Sequence, residues 1–375
     1  MKKSWTSAIA VSVSLTAVLS SGAGAAFAQT GVHGARTSAR RTSAVPLDHW
    51  TPGIVAKAKA EGNVHGFGMP ANWANLGNMW ASFTRTYGIH DQYVAEGNMS
   101  SAEELQSFQK EKNHPIGDVG DIGISFGPTA IQMGVVAPFK NQYWSQIPAD
   151  LKNPNGYWAA AYYGVISFEV NPQMVKQVPH TWADLLKPEY KGLIGFGDPR
   201  QAAEQFDAVI AASYAFGGNA NNIQPGINFF KKLHQIGNWT GTTGSSAAMK
   251  TGQIGIQITW NYLSEADAKT FAGRPKILTV VPTDATVAGP YVEVVNKYAP
   301  HPYAARLLNN YLFSNAGQIS YAQGGAYPVR LKYIHLPKSV HLPALNLNKV
   351  HFLAGTFAKA TKTLNAEWGS QVLGQ

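Results

Sequence analysis

Short apolar segments alternate with amphipathic segments along most of this 375-residue chain, and this alternation limits the possible folds more than any other feature. Apolar runs of strand length lie at 64–69, 92–95, 116–124, 192–196, 254–259 and 277–281. Segments with helical spacing of apolar residues lie at 52–60, 73–87, 201–216, 223–233, 245–250 and 302–313. Strands that alternate with helices are typical of an α/β fold, which we therefore predict.

Two further patterns refine this prediction. A β-prone run at 158–170 is longer than a usual strand, so we expect it to cross between two lobes. Ser101 and Glu104 match the S-x-x-E capping box, in which a serine hydroxyl and a glutamate carboxylate accept hydrogen bonds from backbone amides. We expect a helix to begin at this pair.

The first 28 residues are organised like a secretory signal peptide. Lys2 and Lys3 precede an apolar run at 8–19, and 26–28 reads Ala-Phe-Ala, an A-x-A cleavage site. The apolar run is short for a transmembrane helix, which needs about 20 residues. We predict cleavage after Ala28, export to the periplasm or the medium, and a mature chain that does not span a membrane.

Positive charge is concentrated before the predicted fold. Residues 29–46 form a flexible basic leader, and residues 1–46 hold five basic residues and no acidic residue. The rest of the chain has 25 basic and 21 acidic residues, a net charge of +4, whereas the full chain carries +9. Without a Lys/Arg block or a nucleic-acid motif there, we expect no nucleic-acid partner. Because carboxylates are few, we also predict tolerance of acid conditions.

The chain has no cysteine. This excludes disulfides, thiolate zinc sites, iron–sulfur clusters, a cysteine nucleophile and a lipidated N-terminal cysteine. The 11 histidines are scattered and no H-E-x-x-H occurs. We expect no metal site and no cofactor.

Several segments resemble the solute-binding proteins of ATP-driven importers, in the type II fold that includes ferric-ion and polyamine binders. Residues 179–192 resemble the family pattern P-x-T-W-x-D-L-L-x-P-x-Y-K-G, and Asp198-Pro199 supplies the turn that follows it. The other matching segments lie at 118–121, 258–261, 301–314 and 325–330. The resemblance extends from about residue 64 to about residue 330.

This resemblance implies two α/β lobes with a ligand cleft between them, no chemical reaction, and delivery of a small solute to a membrane permease of the ABC type. We expect lobe one at 47–160 and 288–330, lobe two at 161–287, and a C-terminal helical segment at 331–375 packed on the lobes. We expect a monomer. Ligand binding would favour the closed state through contacts that only this state makes.

Ligands in open α/β sheets bind beyond the carboxyl ends of strands. This rule selects candidate residues in five loops, at 70–73, 125–127, 162–163, 198–201 and 260–262, the last being the expected exit loop of the strand at 254–259. The aromatic candidates suit stacking, Ser125 suits an acceptor atom, and Arg200 at a helix start suits a carboxylate or phosphate. Because side chains alternate along a strand, only one tyrosine of the 162–163 pair is expected to face the cleft. The candidates are Asn72, Trp73, Ser125, Phe126, Tyr162, Tyr163, Asp198, Arg200, Trp260, Asn261 and Tyr262, with Tyr291 and Tyr327 added.

The ligand class stays open between three alternatives. A polyamine needs carboxylates beside aromatic walls, and the late loop where such binders carry an acid reads Ala-Gly-Pro-Tyr at 288–291. Glu204 is the possible replacement, but its expected place is a helix surface. A ferric-ion site is disfavoured because the tyrosine pair lies too early in the chain. Arg200 and the charge of +4 favour a small anionic or zwitterionic solute.

An enzyme is the competing class. Residues 123–127 read Gly-Ile-Ser-Phe-Gly and match G-x-S-x-G, the nucleophile elbow of α/β-hydrolases, with Ser125 as nucleophile. An upstream oxyanion loop of the HGGG kind is missing. A binding protein is therefore favoured over a serine hydrolase.

Overall fold

The computed structural model describes residues 45–91, 99–342, 344–346, 348–354 and 357–375. The predicted signal peptide, the leader up to residue 44 and the predicted strand at 92–95 lie outside the described residues. Val45 to Gln375 form one compact unit. Within the described part of the chain, no helix is both long enough and apolar enough to cross a bilayer.

The helices follow the predicted amphipathic segments closely. They are α1 Gly53–Glu61, α2 Leu76–Tyr87, α3 Ser101–Lys110, α4 Gly127–Met133, α5 Ala203–Ala215, α6 Gln224–Gln235, α7 Ser246–Thr251, α8 Asn261–Phe271, α9 Pro302–Leu312, α10 Asn315–Gln323 and α11 Ala358–Glu367. Short 3₁₀ segments include Ile124–Phe126, which follows the second strand, and Ala183–Leu186. A π-helical turn, Trp368–Leu373, ends the chain.

Most strands are short, and two are long. They are β1 Gly66–Phe67, β2 Val119–Gly123, β3 Val136–Ala137, β4 Ala159–Val170, β5 Ile194–Gly195, β6 Ile256–Trp260, β7 Leu278–Val280, β8 Thr286–Asn296, β9 Tyr327–Pro328 and β10 Val350–Phe352. Every residue of β8 is buried, and every residue of β4 except Tyr163 is buried. These two strands form the centre of the molecule.

The strands form a mixed sheet in the order β1-β2-β8-β4-β6-β5. The first half of β4 pairs antiparallel with β8, from Ala159 to Val165. Its second half pairs antiparallel with β6 and β7, from Ile166 to Val170. The predicted long strand is thus present, and it joins two groups of strands.

The capping prediction was wrong by one residue. Ser100 is the N-cap of α3: its hydroxyl accepts a hydrogen bond from the Glu103 amide, and the Glu103 carboxylate accepts one of 2.8 Å from the Ser100 amide. Residues 100–104 read Ser-Ser-Ala-Glu-Glu, so two capping boxes overlap in the sequence. Ser101 and Glu104 are buried instead, and each accepts a hydrogen bond from an amide of β2.

The C-terminal segment packs on the second group of strands and their helices. Trp368 is fully buried, with its ring 5.6 Å from that of Phe230 and 6.1 Å from that of Phe196. Upstream of this helix, β10 pairs in parallel with the start of β8. The segment therefore contributes a strand as well as the expected helix.

Candidate functional site

A cavity of about 270 Å³ opens between the end of β2 and the start of α5. The turn after β1 contributes Trp73, the start of α3 contributes Glu104, and β8 contributes Tyr291. Asp121 lies on β2, and Glu204 lies in the first turn of α5. The cavity therefore collects side chains from five elements.

Asp121 has one carboxylate oxygen that is committed and one that is not. Its Oδ2 accepts a 2.6 Å hydrogen bond from the hydroxyl of Tyr162. Its Oδ1 is buried and has no hydrogen-bond partner among the described residues. A buried carboxylate oxygen without a donor is costly, so a ligand or a proton is expected on it.

Glu104 and Glu204 face the same cavity and also accept hydrogen bonds. Oε2 of Glu104 accepts a 3.0 Å hydrogen bond from the Asp121 amide. Oε1 of Glu204 accepts hydrogen bonds from the Thr259 hydroxyl and, at 2.8 Å, from the Trp260 amide. The expectation that Glu204 lies on a helix surface was therefore wrong, because its carboxylate anchors the end of β6.

Burial dominates the electrostatics of these acids. It raises the pKa of Asp121 to about 8, against the lowering effect of the Tyr162 hydrogen bond. Burial and the neighbouring Asp121 raise the pKa of Glu104 well above its usual value. Burial also raises the pKa of Glu204. No Lys, Arg or His is among the described residues that line the cavity, so its ionisable side chains are all acidic.

Aromatic rings form the wall beside these acids. The half-buried Trp73 makes edge contacts with Tyr291, at 5.2 Å between ring centroids, and with Tyr262, at 5.5 Å. Its indole N–H donates to the Tyr162 hydroxyl. Tyr162 stacks on Tyr291 at 5.6 Å, which fixes the ring that faces the cavity. Aromatic faces beside carboxylates suit a cationic group.

The cavity also meets the start of a helix. Ala202 and Ala203 line it, and no side chain caps the N-terminus of α5 among the described residues. The first amides of a helix lack intrahelical acceptors and carry partial positive charge. This edge of the cavity therefore suits an anionic group, opposite in character to the acids.

The predicted site residues separate into three groups. Trp73 and Tyr291 line the cavity, whereas Asn72 beside them is exposed to solvent. Three others lie buried behind this wall: Tyr162, Trp260 and Tyr262. The expected exit loop at 260–262 was wrong, because α8 begins directly at Asn261. Asn261 holds the fold by accepting from the Val165 amide and donating to the Gly325 carbonyl, both at 3.0 Å.

Tyr163 and Tyr327 lie away from the cavity. The two rings stack at 5.1 Å, and Tyr163 also contacts Phe352 of β10. Tyr162 is the member of the pair on the cavity side, since its hydroxyl reaches Asp121. The two tyrosines thus occupy different environments.

The remaining candidates surround a separate cavity of about 160 Å³. Ser125, Phe126 and Arg200 line it together with α11. The Arg200 guanidinium pairs with Asp198 at 2.6 Å. Arg200 therefore lines a different cavity from Trp73 and Tyr291. Ser125 Oγ has no hydrogen-bond partner among the described residues, so no described base activates it.

Sequence reasoning missed the acids of the cavity. Asp121 was noticed only within the family-like segment 118–121, and Glu104 only as a cap. The tetrapeptide 288–291 was expected to be a loop, but it lies within β8. Asp121 is the middle residue of β2, so a search at the carboxyl ends of strands did not select it.

Residues 116–361, more than half of the chain, match the family model of the bacterial extracellular solute-binding proteins. A putative 2-aminoethylphosphonate-binding periplasmic protein of Salmonella typhimurium is 25% identical over 248 residues, which are 63% of this chain and 68% of the relative.

Solved structures share the fold. The periplasmic binding protein AfuA from Actinobacillus pleuropneumoniae, with exogenous fructose-6-phosphate bound, has a TM-score of 0.65 at 20% identity. The match covers 83% of this chain and 98% of AfuA. A periplasmic thiamin binding protein has a TM-score of 0.64 at 16% identity, covering 83% of this chain and 95% of that protein.

These similarities agree with the observed structure, which has an α/β sheet with two long central strands and a cavity between β2 and α5. The predicted fold class is confirmed, since the neighbours are two-lobed periplasmic binding proteins. This chain belongs to the family of bacterial extracellular solute-binding proteins.

Proposed function

We propose that the protein captures a small organic solute with an ammonium group in the cavity between β2 and α5. One observation carries this proposal: Asp121 lines the cavity, and its buried Oδ1 has no hydrogen-bond donor among the described residues. An ammonium group supplies donors and positive charge together. The aromatic wall of Trp73 and Tyr291 favours the same group.

A zwitterion fits this cavity best. The uncapped start of α5 offers backbone amides to an anionic end, while Asp121 on β2 receives the amine. A purely anionic solute fits poorly, because the cavity contains carboxyl groups and its described lining includes no basic side chain. The name of the Salmonella relative supports 2-aminoethylphosphonate as the first solute to test.

A diamine is the second candidate. The segment 288–291 has no acid, but other elements supply acids to the cavity. Asp121 and Glu104 lie on one side, on β2 and α3, and Glu204 lies on α5. Carboxyl groups on both sides suit a ligand with two ammonium groups.

Capture proceeds by closure of two lobes. Lobe one consists of 47–160 and 288–330, and lobe two consists of 161–287. The strand β4 joins two groups of strands, which supports this division. The mature chain, cut after Ala28, acts as an exported monomer and presents the loaded form to an ABC-type import permease. The solute is bound by contacts that form fully only in the closed state.

Isothermal titration calorimetry with a matched ligand set tests the proposal. We expect the mature protein to bind 2-aminoethylphosphonate at least tenfold more tightly than ethylphosphonate, which lacks the amine. Putrescine tests the diamine, and fructose-6-phosphate tests a purely anionic solute. Binding of ethylphosphonate or fructose-6-phosphate without binding of either amine would overturn the proposed ligand class.

A further inference from the structure

Asp121 faces a second buried acid across the sheet. It is in register with Glu293 on the antiparallel strand β8, and both residues are nearly inaccessible to solvent. Side chains directly opposite in an antiparallel pair lie about 5 Å apart, and like charges there destabilise the sheet. Two ionised carboxylates at this spacing and depth are therefore unfavourable.

Each acid of this pair has a single side-chain donor. Tyr162 donates to Asp121 at 2.6 Å, and Tyr321 donates to Glu293 at 2.9 Å. Oδ1 of Asp121 and Oε2 of Glu293 have no hydrogen-bond partner among the described residues. Burial raises the pKa of both carboxyl groups, that of Asp121 to about 8. The pair is thus built to hold protons when the cavity is empty.

The titratable groups around Asp121 come from every neighbouring element, and within the described chain all are acids or phenols. They are Glu103 and Glu104 on α3, Tyr162 on β4, Glu204 on α5, Tyr262 on α8, Tyr291 and Glu293 on β8, and Tyr321 on α10. A counter-charge for ionised Asp121 must therefore come from the ligand.

The cavity distinguishes the two members of the pair. Asp121 lines it, whereas Glu293 lies behind it. We propose that an ammonium group entering the cavity replaces the proton on Asp121, so that solute capture releases a proton to the solvent. This inference rests on the proposed function.

The exchange is balanced in atoms and charge. The O–H bond of the Asp121 carboxyl group breaks, and its proton leaves through the cavity to water. The ammonium group then donates an N–H hydrogen bond to the freed Oδ1. Glu293 keeps its proton, because it now faces an ionised carboxylate. Acidification therefore opposes capture and favours release of the solute.

Infrared difference spectroscopy of the mature protein at pH 6.5 reads the carboxyl group directly. The band of protonated carboxyl groups should be weaker in Asp121→Asn than in the parent protein when no ligand is present. Saturation of the parent with 2-aminoethylphosphonate or putrescine should decrease the intensity of this band by the same amount. Calorimetry on the same samples establishes that the probe is bound.

Glu169→Gln is the matched control, since Glu169 is a buried acid on the far half of β4 that does not line the cavity. This variant should lack the carboxyl band of Glu169 and should still lose the Asp121 band when the ligand binds. Probe binding without loss of the Asp121 band would overturn this inference alone. An Asp121→Asn spectrum equal to the parent spectrum would also overturn it. If neither probe binds, the inference and the proposed ligand class both fail.

Discussion

The hydroxyl group of Tyr162 donates a 2.6 Å hydrogen bond to Asp121 while it accepts one from the indole of Trp73. This chain of contacts joins β4, β2 and the turn after β1. It occupies Oδ2 of Asp121, whereas Oδ1 has no hydrogen-bond partner among the described residues. Tyr162 is therefore a positioning residue for the proposed cation site.

Tyr162→Phe should weaken binding of 2-aminoethylphosphonate about fivefold. The change removes both hydrogen bonds at the hydroxyl, and a hydrogen bond to a positioned carboxylate contributes about 1 kcal/mol. Tyr163→Phe is the matched control, because that ring packs against Tyr327 and Phe352 instead. Calorimetry on both variants tests the assignment, and equal losses of affinity would refute it.

Gly123→Ala should impair closure. A methyl group on Gly123 would come within 2.1 Å of the Ala203 Cβ, where the end of β2 meets the start of α5. We expect at least a tenfold loss of affinity with little change in the urea midpoint, because this contact forms between the proposed lobes. Ala203→Gly in the same protein should restore affinity, since it removes the clashing atom. A double variant that binds as weakly as Gly123→Ala would contradict this account.

Arg200→Gln should leave the affinity for every amine probe within about twofold of the parent value. Arg200 pairs with Asp198 and lines the separate cavity near α11, and a surface pair of this kind contributes about 0–1 kcal/mol to stability. A tenfold loss of affinity would contradict this expectation and would support the predicted role of Arg200 in anion binding. The measurement is a calorimetric titration beside the parent protein.

The free energy of unfolding should be greatest near pH 4 and should fall as the pH rises. Burial raises the pKa of Asp121 to about 8 and, with help from the nearby Asp267 carboxyl, that of Glu169 to about 9. Between about pH 4 and these values the unfolded chain loses the protons and the folded chain keeps them, which stabilises the unfolded state. Each such group lowers stability by about 1 kcal/mol per pH unit.

At low pH the free energy of unfolding should instead fall as the pH falls. Hydrogen bonds from Lys187, His180 and Thr181 outweigh desolvation and lower the pKa of Asp184 to about 2. Its contribution to stability is present above its ordinary pKa and is lost as the pH falls towards about 2. Urea unfolding from about pH 3 to pH 9 tests both limits, and Glu169→Gln should flatten the fall at high pH. A maximum at neutral pH in the parent would contradict the predicted maximum near pH 4, and unfolding near pH 4 at room temperature would contradict the predicted acid tolerance.

Much of the fold could be predicted from local patterns. The long run at 158–170 became β4, and the helix expected at 302–313 became α9, because strand and helix periodicity are local properties of the sequence. The exit loop at 260–262 failed because α8 starts without a linker after Trp260. Helix boundaries of this kind are set by tertiary contacts, here the two hydrogen bonds of Asn261.

The site was harder to predict because its chemistry depends on burial. Trp73 and Tyr291 were found as aromatic candidates, and both line the cavity. Glu204 and Glu104 resemble ordinary helix-surface acids in sequence, and only packing against β6 and β2 makes them cavity groups. Arg200 was predicted to bind an anionic group because it is charged and precedes a helix. In the structure its guanidinium pairs with Asp198, two residues away. Pairing and burial of charges are not visible in a linear pattern.

The central claim is that Asp121 receives the ammonium group of the solute, and a double-mutant cycle tests it most directly. Four dissociation constants are measured by calorimetry: parent and Asp121→Asn, each with 2-aminoethylphosphonate and with ethylphosphonate. The account predicts that Asp121→Asn weakens binding of the amine at least tenfold and leaves the weak binding of ethylphosphonate unchanged. This corresponds to a coupling free energy of about 1.5–3 kcal/mol, the usual range for a charge-assisted hydrogen bond. Equal losses for the two ligands, and hence no coupling, would contradict it.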